Sequence, residues 1–483
     1  MNRHNFFGHL TLAVAVVMLA AFLGQMGRMS KDAPVPGKMV ITYVHNTVPE
    51  TEVAGKDDAE VIVRFRPGTS ADEIDRLTST LNDRLQDRFE FVNGEAVIAD
   101  EDGFSAEEVA AQYRRQPEVL YAEPNYEINL SPVADEEFQA AEGYVGNDDD
   151  DEPPVIMGRR PNDQMFGEQW ALQNTGQREG KSQADISAVL AWEKTQGSDK
   201  IVVAVLDTGV DYNHNDLKGN MWTRPAGVAP YEDEDLGAFD DRYGFDAADN
   251  DGDPMDDNGH GTHCAGIVGA EGDNSEGIAG VNWKVEIMPL KFLGRGGSGT
   301  TKDAIESINY AIDRKRAGVN LRIISASWGS TMYSRALEDA IRRAGEEGII
   351  FIAAAGNASV NNDRRPHYPS SYKLPNVVAV AALNRRDTLA SFSNYGAQGV
   401  HLAAPGAEIL STWPKNKYEE HSGTSMATPV VSGVAALVLS VNPKMTVKEL
   451  RERLLASVDR LPALEGKLSS GGRINAARAV GAH

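Results

Sequence analysis

At 483 residues and a formal net charge of −24 at pH 7, the chain is too long for one ordinary domain. It is also too acidic for a nucleic-acid partner, whose phosphates need clustered Lys and Arg. Its one cysteine, Cys264, excludes an intrachain disulfide, and the apolar helical run around it predicts a small buried hydrophobe rather than a thiol nucleophile.

Arg3 and His4 precede an apolar run from Leu10 to Leu23, which suits the core of an export signal better than a full membrane span. Residues 1–29 are therefore expected to be a signal peptide or an N-terminal anchor, and the protein to be secreted or held in the cell envelope or periplasm. Residues 30–57 read as a polar linker. Residues 58–129 show the β-α-β-β-α-β order of a small ferredoxin-like α+β unit. Glu60–Phe65 alternates as a strand, and Ser70–Leu85 has helical periodicity behind a serine N-cap. Phe89–Ile98 reads as a strand pair about Asn93-Gly94, Ser105–Arg115 as a helix and Val119–Tyr126 as a last strand. Residues 130–160 are acidic and aperiodic, a solvated linker open to cleavage during maturation.

From residue 161 to 483, apolar strand-like runs alternate with helical patterns. The strands are Ile201–Leu206, Val285–Leu290, Leu321–Ala326, Ile349–Ala355, Val377–Ala382 and Val400–Ala404. The helices are Thr300–Ala317, Ser334–Glu347, Met426–Val441 and Val447–Ala456. Continuously apolar strands separated by helices predict an α/β fold, a parallel sheet covered on both faces, with function at the carboxyl ends of the strands.

Three segments carry chemistry there. Ile201–Gly209 is an apolar strand ending in Asp207, Asn258–Gly266 brings His260 into a helix of small residues, and Ser422–Pro429 sets Ser425 at the start of a long apolar helix. A serine is a weak nucleophile until a base takes its proton, and the base needs a partner that fixes its tautomer and stabilises its cation. An aspartic peptidase would need two Asp-Thr-Gly strands close together, and only one is present.

In this order the three segments resemble the signature blocks of the subtilisin family, and the chain from Asn162 onward is similar to its catalytic domain. Thermitase-like members resemble it most, through Pro161–Asp163, Gln169-Trp170 and the loop from Asp246 to His260. The resemblance implies a serine endopeptidase with Asp207, His260 and Ser425 as its triad, on a three-layer α/β/α fold with a central parallel sheet. It implies that Asn357 donates its amide to the oxyanion. It further implies that the strand Ser325–Gly329 pairs with substrate, and that Ser327, Trp328 and Gly329 face Ala354, Ala355 and Gly356 across the S1 pocket. Trp328 would either narrow neighbouring subsites or belong to the core. His367, where many relatives have glycine, would shrink the pocket or make it more polar, or else turn to solvent. Residues 58–129 resemble the family's propeptide, an intramolecular chaperone and inhibitor, so the partners implied are this propeptide and protein or peptide substrates. A membrane enters only if the N-terminal segment is retained. A catalytically silent binding protein on the same fold is the alternative, whose mark would be loss of Ser425, His260 or Asn357.

Aspartates crowd the loop before His260. Carboxylates at alternate positions, Asp249, Asp251 and Asp253 after Asp246, suit calcium, with a solvated acidic loop without metal as the alternative. Pro254 at the sixth position excludes an EF-hand. The resemblance implies a second, stronger calcium site joining Asp163 and Asp216 to the loop Glu271–Ile278. In it Asn274 would use its side chain, and Glu271, Glu276 and Ile278 their carbonyls. No organic cofactor is expected. The acidic insertion between Asp216 and Asp246 suggests no specific role.

Overall fold

The computed structural model describes residues 59–89, 94–131, 158–233 and 237–482. The expected signal or anchor, the polar linker and nearly all of the acidic linker lie outside the described residues.

The N-terminal domain is a four-stranded antiparallel sheet in the order β2-β3-β1-β4. Its strands are β1 (Glu60–Phe65), β2 (Asp83–Arg88), β3 (Glu95–Asp100) and β4 (Val119–Pro124), with helices α1 (Ala71–Leu81) and α2 (Ala106–Tyr113). Both helices open on capping boxes, Ser70 with Glu73 and Ser105 with Glu108, each satisfying two amides that a helix start leaves unpaired. Strand alternation divides the burial. Val61, Val63 and Phe65 of β1 join Ile74, Val109 and Tyr113 under the helices, whereas Ile62 and Val97 face the larger domain. Helix α1 is shorter than its periodicity suggests. It stops at Leu81 because Asn82 turns left-handed (φ 57°), and the chain returns as β2. Leu85 still packs on the same core as Leu77 and Leu81, so an apolar repeat of four does not separate helix from strand here.

The larger domain is built on a nine-stranded sheet. Its strands are β6 (Gly197–Asp207), β7 (Phe245–Asp246), β8 (Lys284–Lys291), β10 (Leu321–Ala326), β11 (Ile350–Ala354), β12 (Val377–Leu383), β13 (Leu402–Pro405), β16 (Val458–Arg460) and β17 (Gly472–Ile474). The order is β16-β17-β13-β12-β11-β10-β6-β8-β7, parallel except for β16 against β17. Outside it lie β9 (Ser298–Thr300), paired with the tail strand β5 (Glu127–Asn129), and the hairpin β14 (Ile409–Trp413) with β15 (Lys417–His421). Val203 and Val205 of β6 pack with α3 (His260–Gly269) and α6 (Thr424–Val441) on one face. Val202, Ala204 and Leu206 pack with α4 (Thr301–Arg316) and α5 (Arg335–Glu346) on the other. The strongly apolar α6 is a core helix, every residue from Thr424 to Leu439 being buried.

The N-terminal domain docks on α4 and α5. Glu123 accepts from Ser334 Oγ (2.6 Å), Arg335 N (2.9 Å) and Ala336 N (3.0 Å), so one carboxylate caps a helix across the interface. Lys302 pairs with Asp87 (3.0 Å) and Glu306 (3.1 Å).

Candidate active site

β6 delivers Asp207 fully buried at its carboxyl end. Its Oδ1 accepts from Thr208 N (2.8 Å) and lies 2.7 Å from His260 Nδ1, while its Oδ2 is buried without a partner among the described residues. His260 begins α3, which runs close against the strand end. A side chain at Gly261 would meet the Gly209 carbonyl at 2.1 Å, so this approach requires glycine. Asp256 locks the join by accepting from Thr208 Oγ1 (3.0 Å), Asn258 N (2.9 Å), Gly259 N (2.8 Å) and Thr262 N (2.9 Å). Burial works against a charged His260, but the Asp207 carboxylate outweighs it and holds the imidazole pKa well above its usual value. Cys264 lies 3.9 Å from His260 Nδ1 and 3.6 Å from the Ser425 carbonyl. Burial pushes its thiol pKa up, as befits a packing residue rather than a nucleophile.

Ser425 is the second residue of α6 and is 8% exposed. Its hydroxyl donates to the Ser327 carbonyl (2.9 Å), and Ser327 Oγ returns a bond to the Ser425 carbonyl (2.8 Å). No hydrogen bond joins Ser425 to His260 among the described residues, so the serine must rotate toward the base before it can react. Asn357 Oδ1 accepts from Thr424 N (2.9 Å) and Thr424 Oγ1 (2.8 Å). A backbone N–H can only donate, so the amide is fixed with its NH2 facing outward. That NH2 donates to the carbonyl of Ser131 (3.2 Å).

The chain that brings Ser131 there is the tail of the N-terminal domain. β5 lies antiparallel to β9, with Glu127, Ile128 and Asn129 opposite Thr300, Gly299 and Ser298, and Leu130 N donates to Gly297 O (2.9 Å). Ile128 is buried. The tail thus lies along the catalytic groove as an added strand. The strand it pairs with is Ser298–Thr300, while in Ser325–Gly329, the strand expected to pair with substrate, Ser327 bonds Ser425 through both its carbonyl and its hydroxyl. The sequence signal overlooked is the run Gly294–Gly299, four glycines and a serine about Arg295, which leaves a backbone edge free for a peptide. Trp328 belongs to the core. Its indole donates to Leu206 O (2.9 Å) and packs on Phe292, because the strand alternation that exposes Ser327 to the site turns residue 328 the other way.

His367 is not turned to solvent. A side chain at Gly329 would meet its Cε1 at 2.2 Å and one at Gly356 its Cδ2 at 3.0 Å, so the imidazole fills the space between the two expected pocket walls. Ala354 and Ala355 are buried behind them. Burial lowers the His367 pKa to about 4, leaving a neutral plug. Opening the plug with His367→Gly is expected to raise kcat/KM for cleavage after Phe relative to Ala by about 10-fold or more, the scale on which a pocket registers extra carbon. A peptide library would read it, and a wild-type enzyme that already cuts equally after Phe and Ala would sink the idea.

Two carboxylate clusters lie apart from this centre. Asp163 and Asp216 are buried, and burial raises the pKa of each to about 6. Asp163 Oδ2 accepts from Asp273 N (2.7 Å), but its Oδ1 is buried without a partner among the described residues. Asp216 accepts from Asn274 Nδ2 (2.7 Å) and Ile278 N (2.9 Å). Asn274 therefore presents its NH2, not its oxygen, to Asp216, its Oδ1 accepting from Glu276 N (2.8 Å). The Glu271 carboxylate accepts from Gly219 N (2.8 Å). In the second cluster Asp246 is buried, and burial raises its pKa to about 7. Its Oδ1 caps Ala248 N and Asp249 N. Asp249, Asp251 and Asp253 are exposed. Asp251 accepts from Asp253 N (2.8 Å), and Asp253 accepts from the Tyr212 hydroxyl (2.8 Å). Two residues that pattern reading passed over, Asp256 and the buried Lys291, which bonds Asp257 (2.9 Å) and the Thr208 carbonyl (3.3 Å), set the loop on which the histidine stands.

A model of the subtilase family matches residues 198–480, and one of the fervidolysin N-terminal prodomain matches residues 58–125. A thermophilic serine proteinase of Bacillus sp. (strain AK1) is 34% identical over 449 residues, covering 90% of this chain and 91% of its own. Thermitase of Thermoactinomyces vulgaris is 38% identical, over 61% of this chain and 93% of its own. Among solved structures, a protease of Pseudoalteromonas arctica is similar with a TM-score of 0.54 and 30% identity, over 67% of this chain and 99% of that one.

Proposed function

Because the chain belongs to the subtilase family, as a thermitase-like serine endopeptidase with a prodomain, we propose that Ser425 is its nucleophile, His260 its general base and Asp207 the group that orients and charges the base. The observation that carries this is a hydrogen-bonded Asp207–His260 pair together with an Asn357 amide fixed by Thr424, the residue before Ser425. The same asparagine amide donates to the Ser131 carbonyl, the contact a substrate carbonyl would take. Ser425 Oγ would attack a carbonyl held there and pass its proton to His260, which returns it to the leaving nitrogen. Water would then release the acyl group by the same steps reversed. Asn357 and the Ser425 backbone N–H, at a helix start, would meet the charge on the carbonyl oxygen as it develops, a contribution of about 3 kcal/mol per donor. The occupied groove supports a zymogen, inhibited until the tail leaves. The apolar segment near the N-terminus supports export to the cell exterior or envelope.

Calcium fits the first cluster, where buried carboxylates of Asp163 and Asp216 face one loop and an acidic oxygen stands unused. Bound there with the carbonyls of Glu271, Glu276 and Ile278, and with Asn274 once its amide turns its oxygen toward Asp216, it would clip the 271–278 loop to the start of the domain and stabilise the fold by mass action. The exposed Asp249, Asp251 and Asp253 around Asp246 would make a weaker site.

One sample tests both parts. A serine-directed phosphonofluoridate is expected to add once to the activated enzyme, on Ser425, and to stop casein digestion. The labelled enzyme cannot digest itself, so its melting temperature can be read in calcium and in chelator. At calcium about 100-fold above Kd the gain is about 2.7 kcal/mol, or several degrees for a domain of this size. Label on another residue would refute the role of Ser425, and an unchanged melting temperature would refute the calcium site.

A further inference from the structure

The last residue of β8, Lys291, stands beside Asp207 in the sheet register and is 2% exposed. A lysine ammonium has three N–H donors and no acceptor, and burying it is costly unless each donor is met. Three acceptors meet it here, the Thr208 carbonyl (3.3 Å), the Leu293 carbonyl (3.1 Å) and Asp257 Oδ1 (2.9 Å). Each belongs to a different segment of the catalytic groove. Thr208 follows Asp207 at the end of β6, Asp257 precedes His260 by three residues, and Leu293 leads into the glycine-rich edge on which the tail strand lies. We infer that Lys291 is a positioning residue, whose single ammonium holds the aspartate's strand end, the histidine's loop and the peptide-pairing edge in fixed relation to one another.

In all three segments a small shift reaches the chemistry. Every polar group of Thr208 is engaged. Its N–H donates to Asp207 Oδ1 (2.8 Å), its Oγ1 donates to Asp256 (3.0 Å) and accepts from Gly261 N (2.9 Å), and its carbonyl takes the ammonium. A displaced Thr208 therefore carries the triad carboxylate and the first turn of α3 with it. Asp257 stands between Asp256, which accepts from Thr262 N, and Asn258, whose Oδ1 accepts from His260 N (3.2 Å). Asn258 Nδ2 in turn donates to the Arg295 carbonyl (3.0 Å), so the histidine loop and the edge move as one. Past Leu293 the edge closes on itself, Gly294 N bonding Ser298 O and Gly297 N bonding Gly294 O, and presents Gly297 O to Leu130 N. Among the described residues the ammonium bonds neither Ser425 nor His260, so its influence passes through the groups it holds.

The inference rests on the peptidase reading, and the two fail separately. The measurement is kcat/KM per active site, counted by phosphonofluoridate titration, on activated wild type, Lys291→Met and Asp257→Ala. One substrate is a single-residue thioester that reaches the triad but not the edge, and the other is its tetrapeptide counterpart, which lies along the edge. Lys291→Met keeps most of the side chain and removes the ammonium. It is expected to lower the single-residue value by about 10- to 100-fold, the cost of a displacement of up to about 1 Å. The tetrapeptide should lose about 3- to 10-fold more, the worth of one hydrogen bond along the edge. Asp257→Ala, at a side chain 46% exposed, releases the histidine loop alone. Its single-residue value should fall by about 10-fold with the ratio between the substrates unchanged.

A merely structural lysine would cost titratable sites and melting temperature while leaving the per-site values and their ratio in place. Lys291→Met with per-site values at the wild-type level overturns the inference, and so does a loss that falls equally on both substrates. If Lys291→Met yields no titratable enzyme, Asp257→Ala decides, and a per-site value equal to wild type overturns the inference. If wild type takes no label on Ser425 and cleaves neither substrate, the peptidase reading falls and takes the inference with it.

Discussion

Ser425→Ala is expected to lower kcat/KM for casein-derived peptides by about 10^6-fold, the size of the loss when the same group is removed from subtilisin, while the fold survives. The two effects separate because the hydroxyl does little for stability. Its hydrogen bond goes to the Ser327 carbonyl, a contribution of about 1 kcal/mol, and its Cβ remains to fill the space at the start of α6. Asn357 keeps both bonds to Thr424, so the amide proposed to meet the oxyanion is undisturbed. The residual rate should still exceed that in water by about 10^3-fold or more, from the oxyanion donors and binding alone. Steady-state kinetics and a melting curve on the same preparation check this. A loss below about 100-fold would assign the nucleophile elsewhere, and a melting temperature several degrees lower would make the variant uninformative about chemistry.

How far the residues announce this arrangement depends on the range of the interaction that sets each part. The parallel sheet was legible because Ile201–Leu206 and its counterparts are apolar on both faces, a pattern that only a sheet covered twice explains. The order of Asp207, His260 and Ser425 was legible because each ends a strand or starts a helix, where local patterning is clearest. Trp328 was ambiguous, since a large aromatic beside a site suits a pocket wall as well as a core. The deciding contact, its indole on the Leu206 carbonyl, spans a distance in sequence that no local pattern encodes. The same holds for Asp256, one aspartate in a loop full of them, singled out only when Thr208 and Thr262 converge on it. The strand that receives the tail was not anticipated for a related reason. Gly294–Gly299 carries no apolar period, and its use as a pairing edge becomes visible only with the tail lying on it. The end of α1 was misjudged because Asn82 in a left-handed turn and asparagine in a helix read alike.

Asp207→Asn is expected to reduce kcat at neutral pH by about 10^4-fold, the scale measured for this change in another serine peptidase, and the geometry assigns the loss to charge. Thr208 N and His260 Nδ1 both address the same Asp207 oxygen, Oδ1, and Oδ2 stands without a partner among the described residues. An asparagine must keep its carbonyl oxygen toward Thr208 N, since the opposite orientation would set donor against donor. That same oxygen can still accept the Nδ1 proton of His260, so the tautomer able to take a proton from Ser425 survives. The NH2 then occupies the unpartnered side, at about 1 to 3 kcal/mol of stability. What disappears is the negative charge that favours imidazolium in the transition state. The pH profile carries the sign. In the wild type the carboxylate raises the His260 pKa against the effect of burial, and the base works only when neutral, so activity falls as pH drops through that raised value. Without the carboxylate, burial loses its main opponent and the pKa falls, so the acid limb of kcat/KM moves to lower pH even as the plateau collapses. Stability shifts in the same sense. A raised folded-state pKa stabilises the native protein fully below the unfolded imidazole value and progressively less as pH rises through the folded one, and the variant forfeits that increment in acid. An acid limb and a plateau that both stay in place would show that Asp207 does not govern His260, whereas a collapsed plateau with an unmoved limb would return the loss to tautomer or orientation.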